Sequence, residues 1–170
     1  MKGSFDRQKS LQELEQDNWG EPPYNSYLVT TIHRLRRKPL AEFTTEDLRI
    51  MIGQRIGLTF LIPLALERLE DQPLAGGDFY PGDLLHAMSR VGDPFWAQHP
   101  DSFQQLRKVF WRLRDLLLTL DESVCRNLLA LAEAAHSFCG SAGMELTLPG
   151  TRPAPAARAT SNHSPGNCCR

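Results

Sequence analysis

Through the first 140 positions of this chain, apolar residues recur at the helical spacing of three and four, and no useful stretch alternates with period two. The segment "KSLQELEQDNW" predicts a short helix with Leu11 and Leu14 inward and Ser10 as N-cap, broken by Gly20 and Pro22-Pro23. A second helix is expected from about Asn25 to Lys38, stopped by Pro39. Leu28, Thr31, Ile32 and Leu35 share one of its faces, and His33, Arg34, Arg36 and Arg37 spread over the rest. In "FTTEDLRIMIGQRIG", Thr44 and Asp47 have the spacing of a capping box, and Leu48, Met51, Ile52 and Ile56 form the inward stripe. Gly53 and Gly57 bracket the end of that helix. The next runs from about Leu58 to Asp71, with Leu61, Ile62, Ala65, Leu66 and Leu69 inward and Pro63 in its early turns.

The uncharged run within this segment, Ile56 to Leu66, falls well short of the ~20 residues a membrane span needs. Arg55, Glu67, Arg68 and Glu70 also close in on it, so it reads as protein core. After a loop, "PLAGGDFYPGD", a helix is expected from Asp83 to Val91, then one capped by Asp93 with Pro94 at its first position. The longest stripe follows: Phe103, Leu106, Val109, Phe110, Leu113, Leu116 and Leu117. A last helix, "DESVCRNLLALAEAAHSFCG", ends at Gly140. The expected fold class is all-α, a single compact multi-helix domain over residues 1–143. Residues 144–170, rich in Pro, Ala and Ser and without an aromatic, hold too little apolar bulk to repay ordering and read as a disordered tail.

Composition narrows the chemistry. A formal net charge of -1 makes no electrostatic case for nucleic acid or anionic lipid across the whole chain. Up to Gly140 there are 16 Lys and Arg against 19 Asp and Glu, so the body is mildly acidic. Cysteines at 125, 139, 168 and 169 lack the spacing of a secreted disulfide scaffold, and the N-terminus has no apolar signal region, so a cytoplasmic location is expected. The five histidines, at 33, 86, 99, 136 and 163, form no i, i+4 pair, and there is no CxxC. Cys125 and Cys139 sit ~21 Å apart along one helix, too far to share a metal. GxSxG, SxxK and a glycine-rich phosphate loop following a strand are all missing. No catalytic residue, metal or cofactor is expected.

A helix-turn-helix reading of residues 44–69 would present Leu, Phe, Ile and Pro to base edges, which are read by polar side chains. The basic cluster Arg34, Arg36, Arg37 and Lys38 reads instead as a solvated helix end complementing the dipole. A helical nucleic-acid-binding regulator is the alternative function. Surfaces suited to protein contact are clearer. Glu13, Glu15, Asp17 and Glu21 surround Trp19 and Tyr24, and Glu67, Glu70, Asp71, Asp78 and Asp83 surround Phe79 and Tyr80. Aromatic anchors beside charges that steer a basic partner suit an interface. The rival reading is that Trp19 and Tyr80 pack under their own loops. Trp111 falls outside the long stripe and covers either a neighbouring helix or a partner.

The landmarks "WGEP" at 19–22, "LVTTIHRLRRKPL" at 28–40, "EDLRIMIGQ" at 46–54, "LIPLALERL" at 61–69 and "DFYPGDLL" at 78–85 follow in order over residues 10 to about 96. In these the chain resembles bacterial immunity proteins of contact-dependent growth inhibition systems. The resemblance implies a cytoplasmic protein with no catalysis of its own. Its partner would be the toxin C-terminal domain of a large surface adhesin, which it binds and neutralises. Asp17, Trp19, Glu21, Glu70, Asp71, Asp78, Tyr80 and Asp83 then become the candidate toxin-binding residues, with reversal of Asp78 and Asp83 expected to cost affinity and not stability. Deleting residues 144–170 is expected to leave the melting temperature and toxin neutralisation unchanged. Thermal denaturation and a growth-rescue assay of the truncated chain check this, and a large loss of stability would mean that the tail packs on the body.

Overall fold

The computed structural model describes residues 5–117 and Leu131. Among them are seven α-helices and no strand: α1 (Leu11–Glu15), α2 (Tyr27–Arg36), α3 (Thr45–Gly53), α4 (Leu58–Asp71), α5 (Asp83–Ser89), α6 (Asp93–Gln98) and α7 (Pro100–Leu117). A 3-10 turn at Leu40–Glu42 joins α2 to α3. Of the expected helix ending at Gly140 only Leu131 is described, helical and buried in the core, and the boundary at 143, the tail and all four cysteines lie outside the described residues.

The helices start where side chains satisfy the free N–H groups of a first turn. The Ser10 hydroxyl accepts from the Glu13 N–H at 3.4 Å while the Glu13 carboxylate accepts from the Ser10 N–H at 2.8 Å. Thr44 and Asp47 make the same reciprocal pair at 3.2 and 2.9 Å, so both ends are capping boxes. α2 is capped by Ser26 and is shorter at both ends than its pattern predicts. Gly92 is the N-cap of α6, which moves Asp93 to the first helical position and Pro94 one residue further in. Pro63 sits inside α4. There it removes the bond to the Thr59 carbonyl without ending the helix.

Against one another the helices bury a continuous apolar core. α3 packs on α2, α4 and α5, and α7 packs on α4 and α6. Leu48, Met51 and Ile52 of α3 meet Leu61, Ile62, Leu66 and Leu69 of α4 in this core, with Phe43 and Phe110 its largest fully buried side chains. Burying a leucine or phenylalanine side chain in this way is worth about 2 kcal/mol. Leu106, Val109, Phe110 and Leu113 of the long stripe are buried, whereas Leu116 is exposed near its end. Two arginines tie helix ends together: Arg68 donates to the Phe43 carbonyl and, at 3.0 Å, to the Thr45 hydroxyl, and Arg112 donates to the Glu70 carbonyl near the end of α4.

The basic cluster at the end of α2 is not the solvated end its composition suggests. Arg34 and Arg37 are exposed, but Arg36 is only 2% exposed. Its guanidinium pairs with Glu15, donates to the Asp17 carbonyl at 2.8 Å, and lies 4.0 Å from the centre of the Trp19 ring. Lys38 donates to Asp47 at 2.7 Å. The segment after α1 folds back over α2, and helical periodicity within α2 contains nothing about that cover.

Between α3 and α4, Gly57 holds φ +64 as the N-cap of α4. A Cβ there would stand 2.7 Å from both terminal methyls of Leu11, which is fully buried in the core. Gly57→Ala therefore combines a left-handed backbone with a core clash and is expected to cost about 2–3 kcal/mol. Urea denaturation measures it, and a loss below 0.5 kcal/mol would show that Leu11 moves aside freely.

Candidate functional site

The loop from Gly76 to Gly82 is pinned at both ends. Asp83, the first residue of α5, is 4% exposed, and its carboxylate accepts the Gly77 N–H at 2.7 Å and the Phe79 N–H at 3.3 Å. Arg49 of α3 approaches the same carboxylate at 3.6 Å while holding Glu46 through two bonds of 2.7 and 2.6 Å. Glu46 in turn accepts the Asp78 N–H at 3.1 Å. The loop lies so close to α3 that a Cβ on Gly77 would fall 2.1 Å from the Glu46 carboxylate and 3.1 Å from its Cα. Only glycine permits that approach.

The electrostatics follow from these contacts. The Arg49 hydrogen bonds hold the Glu46 carboxyl below its usual range, and the same bonds raise Arg49. For Asp47, burial works against ionisation, but bonds from Lys38 and the Thr44 N–H outweigh it and leave the carboxyl lowered. Burial, and then Asp83, push the Tyr80 hydroxyl up. That hydroxyl shares a hydrogen bond with His86 Nδ1.

What the clamp presents is aromatic. Phe79 is 70% exposed, with the Arg49 guanidinium 4.4 Å from its ring centre, and Tyr80 is half-exposed beside it. Together with Arg55, His86 and Arg90 they border a groove of about 480 Å³ between the end of α3 and α5. A second, smaller hollow of about 320 Å³ lies on α7 at Gln104, Arg107, Lys108 and Trp111. Trp111 is half-exposed there, with the Arg114 guanidinium 5.2 Å from its ring, and no helix among the described residues fully covers it.

The other aromatic surface follows α1. The Trp19 indole donates to the Asp17 carboxylate at 2.7 Å and meets His33 edge-on at 5.7 Å. Glu21 pairs with Arg37 at 3.1 Å, and Tyr24 and Tyr27 stand exposed nearby in sequence. Asp17, Trp19 and Glu21 are thus brought together on one connection, and Asp78 and Tyr80 on the loop. Glu70 and Asp71 are exposed at the end of α4 and do not line the groove.

Asp83 is the correction among the candidate residues. It is not a steering charge but a buried clamp, because a turn with two inward N–H groups needs an acceptor beneath it. The second patch as a whole is also less acidic than its sequence. Glu67 is engaged by Arg7 at 2.6 Å, Glu46 and Asp83 by Arg49, and three arginines face the groove. Arg49, Arg55, His86 and Arg90 went unmarked as site residues. Only the Glu46–Arg49 spacing of three carried a local signal. Among the described residues, no group of His, Cys, Asp or Glu is placed to hold a metal ion, and no helix is long and apolar enough to cross a membrane.

The family of CDI immunity proteins matches this chain over residues 13–106, a span that includes the loop, the groove and the Trp19 connection. No curated protein and no solved structure matches it.

Asp83→Ala would leave the Gly77 and Phe79 N–H groups without their acceptor and remove one of the two carboxylates beside Arg49, at an expected cost of about 2–3 kcal/mol. Asp78→Lys, on the exposed side of the same loop, is expected to stay within about 0.5 kcal/mol. Urea denaturation of the two variants checks the contrast, and equal stabilities would remove the clamp.

Proposed function

The chain belongs to the CDI immunity proteins, and from that premise we propose that it binds the toxin domain of a contact-dependent growth inhibition adhesin in the cytoplasm and neutralises it stoichiometrically. Neutralisation is by contact, with no turnover of any substrate. The observation that favours the loop face as the docking surface is Phe79: a large ring, mostly exposed, on a turn whose backbone is already fixed by Asp83 and Glu46. Interfaces draw most of their energy from a few such anchors, and a turn fixed beforehand loses little entropy on binding. Asp78 and Tyr80 flank this anchor. Asp17, Trp19 and Glu21 extend the contact along the α1 connection, and Glu70 and Asp71 stand as rim charges.

Arg49, Arg55 and Arg90 are the one observation in favour of the nucleic-acid-binding alternative. They share their groove and its border with Asp83, Glu46 and Asp78, whereas duplex binding calls for an uninterrupted basic stripe. Protein contact is the better fit.

Co-expression with the toxin domain encoded beside this chain is expected to restore growth of a sensitive cell, and the two proteins to co-elute on size exclusion. Phe79→Ala is expected to weaken the complex at least tenfold while leaving the melting temperature within a few degrees. Rescue without a complex would mean indirect protection. A complex indifferent to Phe79 would move the docking surface elsewhere.

A further inference from the structure

Helix α3 ends in an unusual way. The Arg55 N–H donates to the Ile52 carbonyl at 2.9 Å and the Ile56 N–H to the Met51 carbonyl at 3.0 Å, the paired bonds of a Schellman C-cap. The residue between cap and exit in this motif takes left-handed backbone and is usually glycine, because a Cβ there crowds the following carbonyl. In this chain it is Arg55, with φ 60. An exposed arginine thus occupies a position where glycine would be the more stable choice.

The placement has a consequence for the groove. Arg55 and Arg90 both line it and both are exposed. Among the described residues, neither has a carboxylate within 4.0 Å, whereas Arg49, which also lines the groove, is satisfied by Glu46 and Asp83. Two unpaired guanidiniums therefore face a hollow that Phe79, Tyr80, His86 and the already engaged Asp83 also line. Guanidinium groups hold carboxylates and phosphates through paired N–H···O bonds, and of these a protein partner brings carboxylates on its own side chains. The volume, about 480 Å³, suits a few side chains of an extended segment.

We propose that the α3–α5 groove receives a carboxylate-bearing segment of the toxin domain, with Arg55 and Arg90 pairing its acids and Phe79 and Tyr80 covering its apolar neighbours. This rests on the toxin-binding reading above. It also explains the strained backbone: at position 55 stability is given up for a charge that the partner needs.

The test compares the full chain with Arg55→Gly and Arg90→Gln, reading both melting temperature and dissociation constant for the toxin domain at low and high salt. Arg55→Gly is expected to raise the melting temperature by about 2–4 °C and yet weaken toxin binding at least tenfold. Arg90→Gln is expected to weaken binding similarly without the thermal gain, and the double variant to lose most of the salt dependence. A purely structural role for Arg55 would move stability and leave affinity alone, and that result overturns the proposal. So does an unchanged affinity in the double variant, or a groove that takes millimolar inorganic phosphate with no effect on toxin binding. If the unaltered chain binds no toxin at all, the functional reading itself fails and the groove assignment falls with it.

Discussion

The buried carboxylate of Asp83 is the constraint on which the proposed docking face depends. Removing a carboxylate from water is costly unless every lone pair finds a donor. Here the donors are the Gly77 and Phe79 N–H groups, with Arg49 alongside at 3.6 Å. These contacts fix the turn, the turn sets Gly77 against α3, and Arg49 is drawn between Glu46 and the Phe79 ring. The groove wall and the exposed aromatic are consequences of one satisfied charge. At the first position of α5, Asp83 also lies where the helix dipole favours an anion.

The apolar core serves this arrangement by holding α3 and α5 in place. Leu48, Met51 and Ile52 on one side and Leu84, Leu85 and Met88 on the other are buried, so the elements that bear Arg49, Asp83 and Arg90 have little freedom to separate. A rigid backbone with aromatic anchors is an economical design for inhibition by contact, since little ordering remains to be done at binding. No catalytic geometry is needed for such a role, only a surface that excludes the partner's other contacts.

Much of the architecture was legible in the sequence because it rests on local chemistry. Ser10 and Thr44 announce their helices through caps, and the stripe of α4 from Leu61 to Leu69 is buried as its spacing predicts. The failures lie where helical periodicity carries no information. Arg36 reads as a solvated charge because nothing in α2 records that Glu15, Asp17 and Trp19 fold over it. Asp83 reads as one more acidic surface residue because its N–H partners lie in a turn whose path periodicity does not describe. Arg55 is opaque for a different reason: a left-handed backbone at a non-glycine residue leaves no mark on the sequence beside Gly53 and Gly57. The aromatics Trp19, Phe79 and Tyr80 were visible as candidates, and their exposure is what only the fold supplies.

The most direct measurement of the central claim is amide hydrogen exchange of the full chain, alone and saturated with the toxin domain. Direct neutralisation through the clamped loop is expected to slow exchange over residues 53–56 and 76–90, with weaker protection at residues 17–28. Protection confined to surfaces remote from the α3–α5 groove, with the loop exchanging as in the free protein, would contradict it.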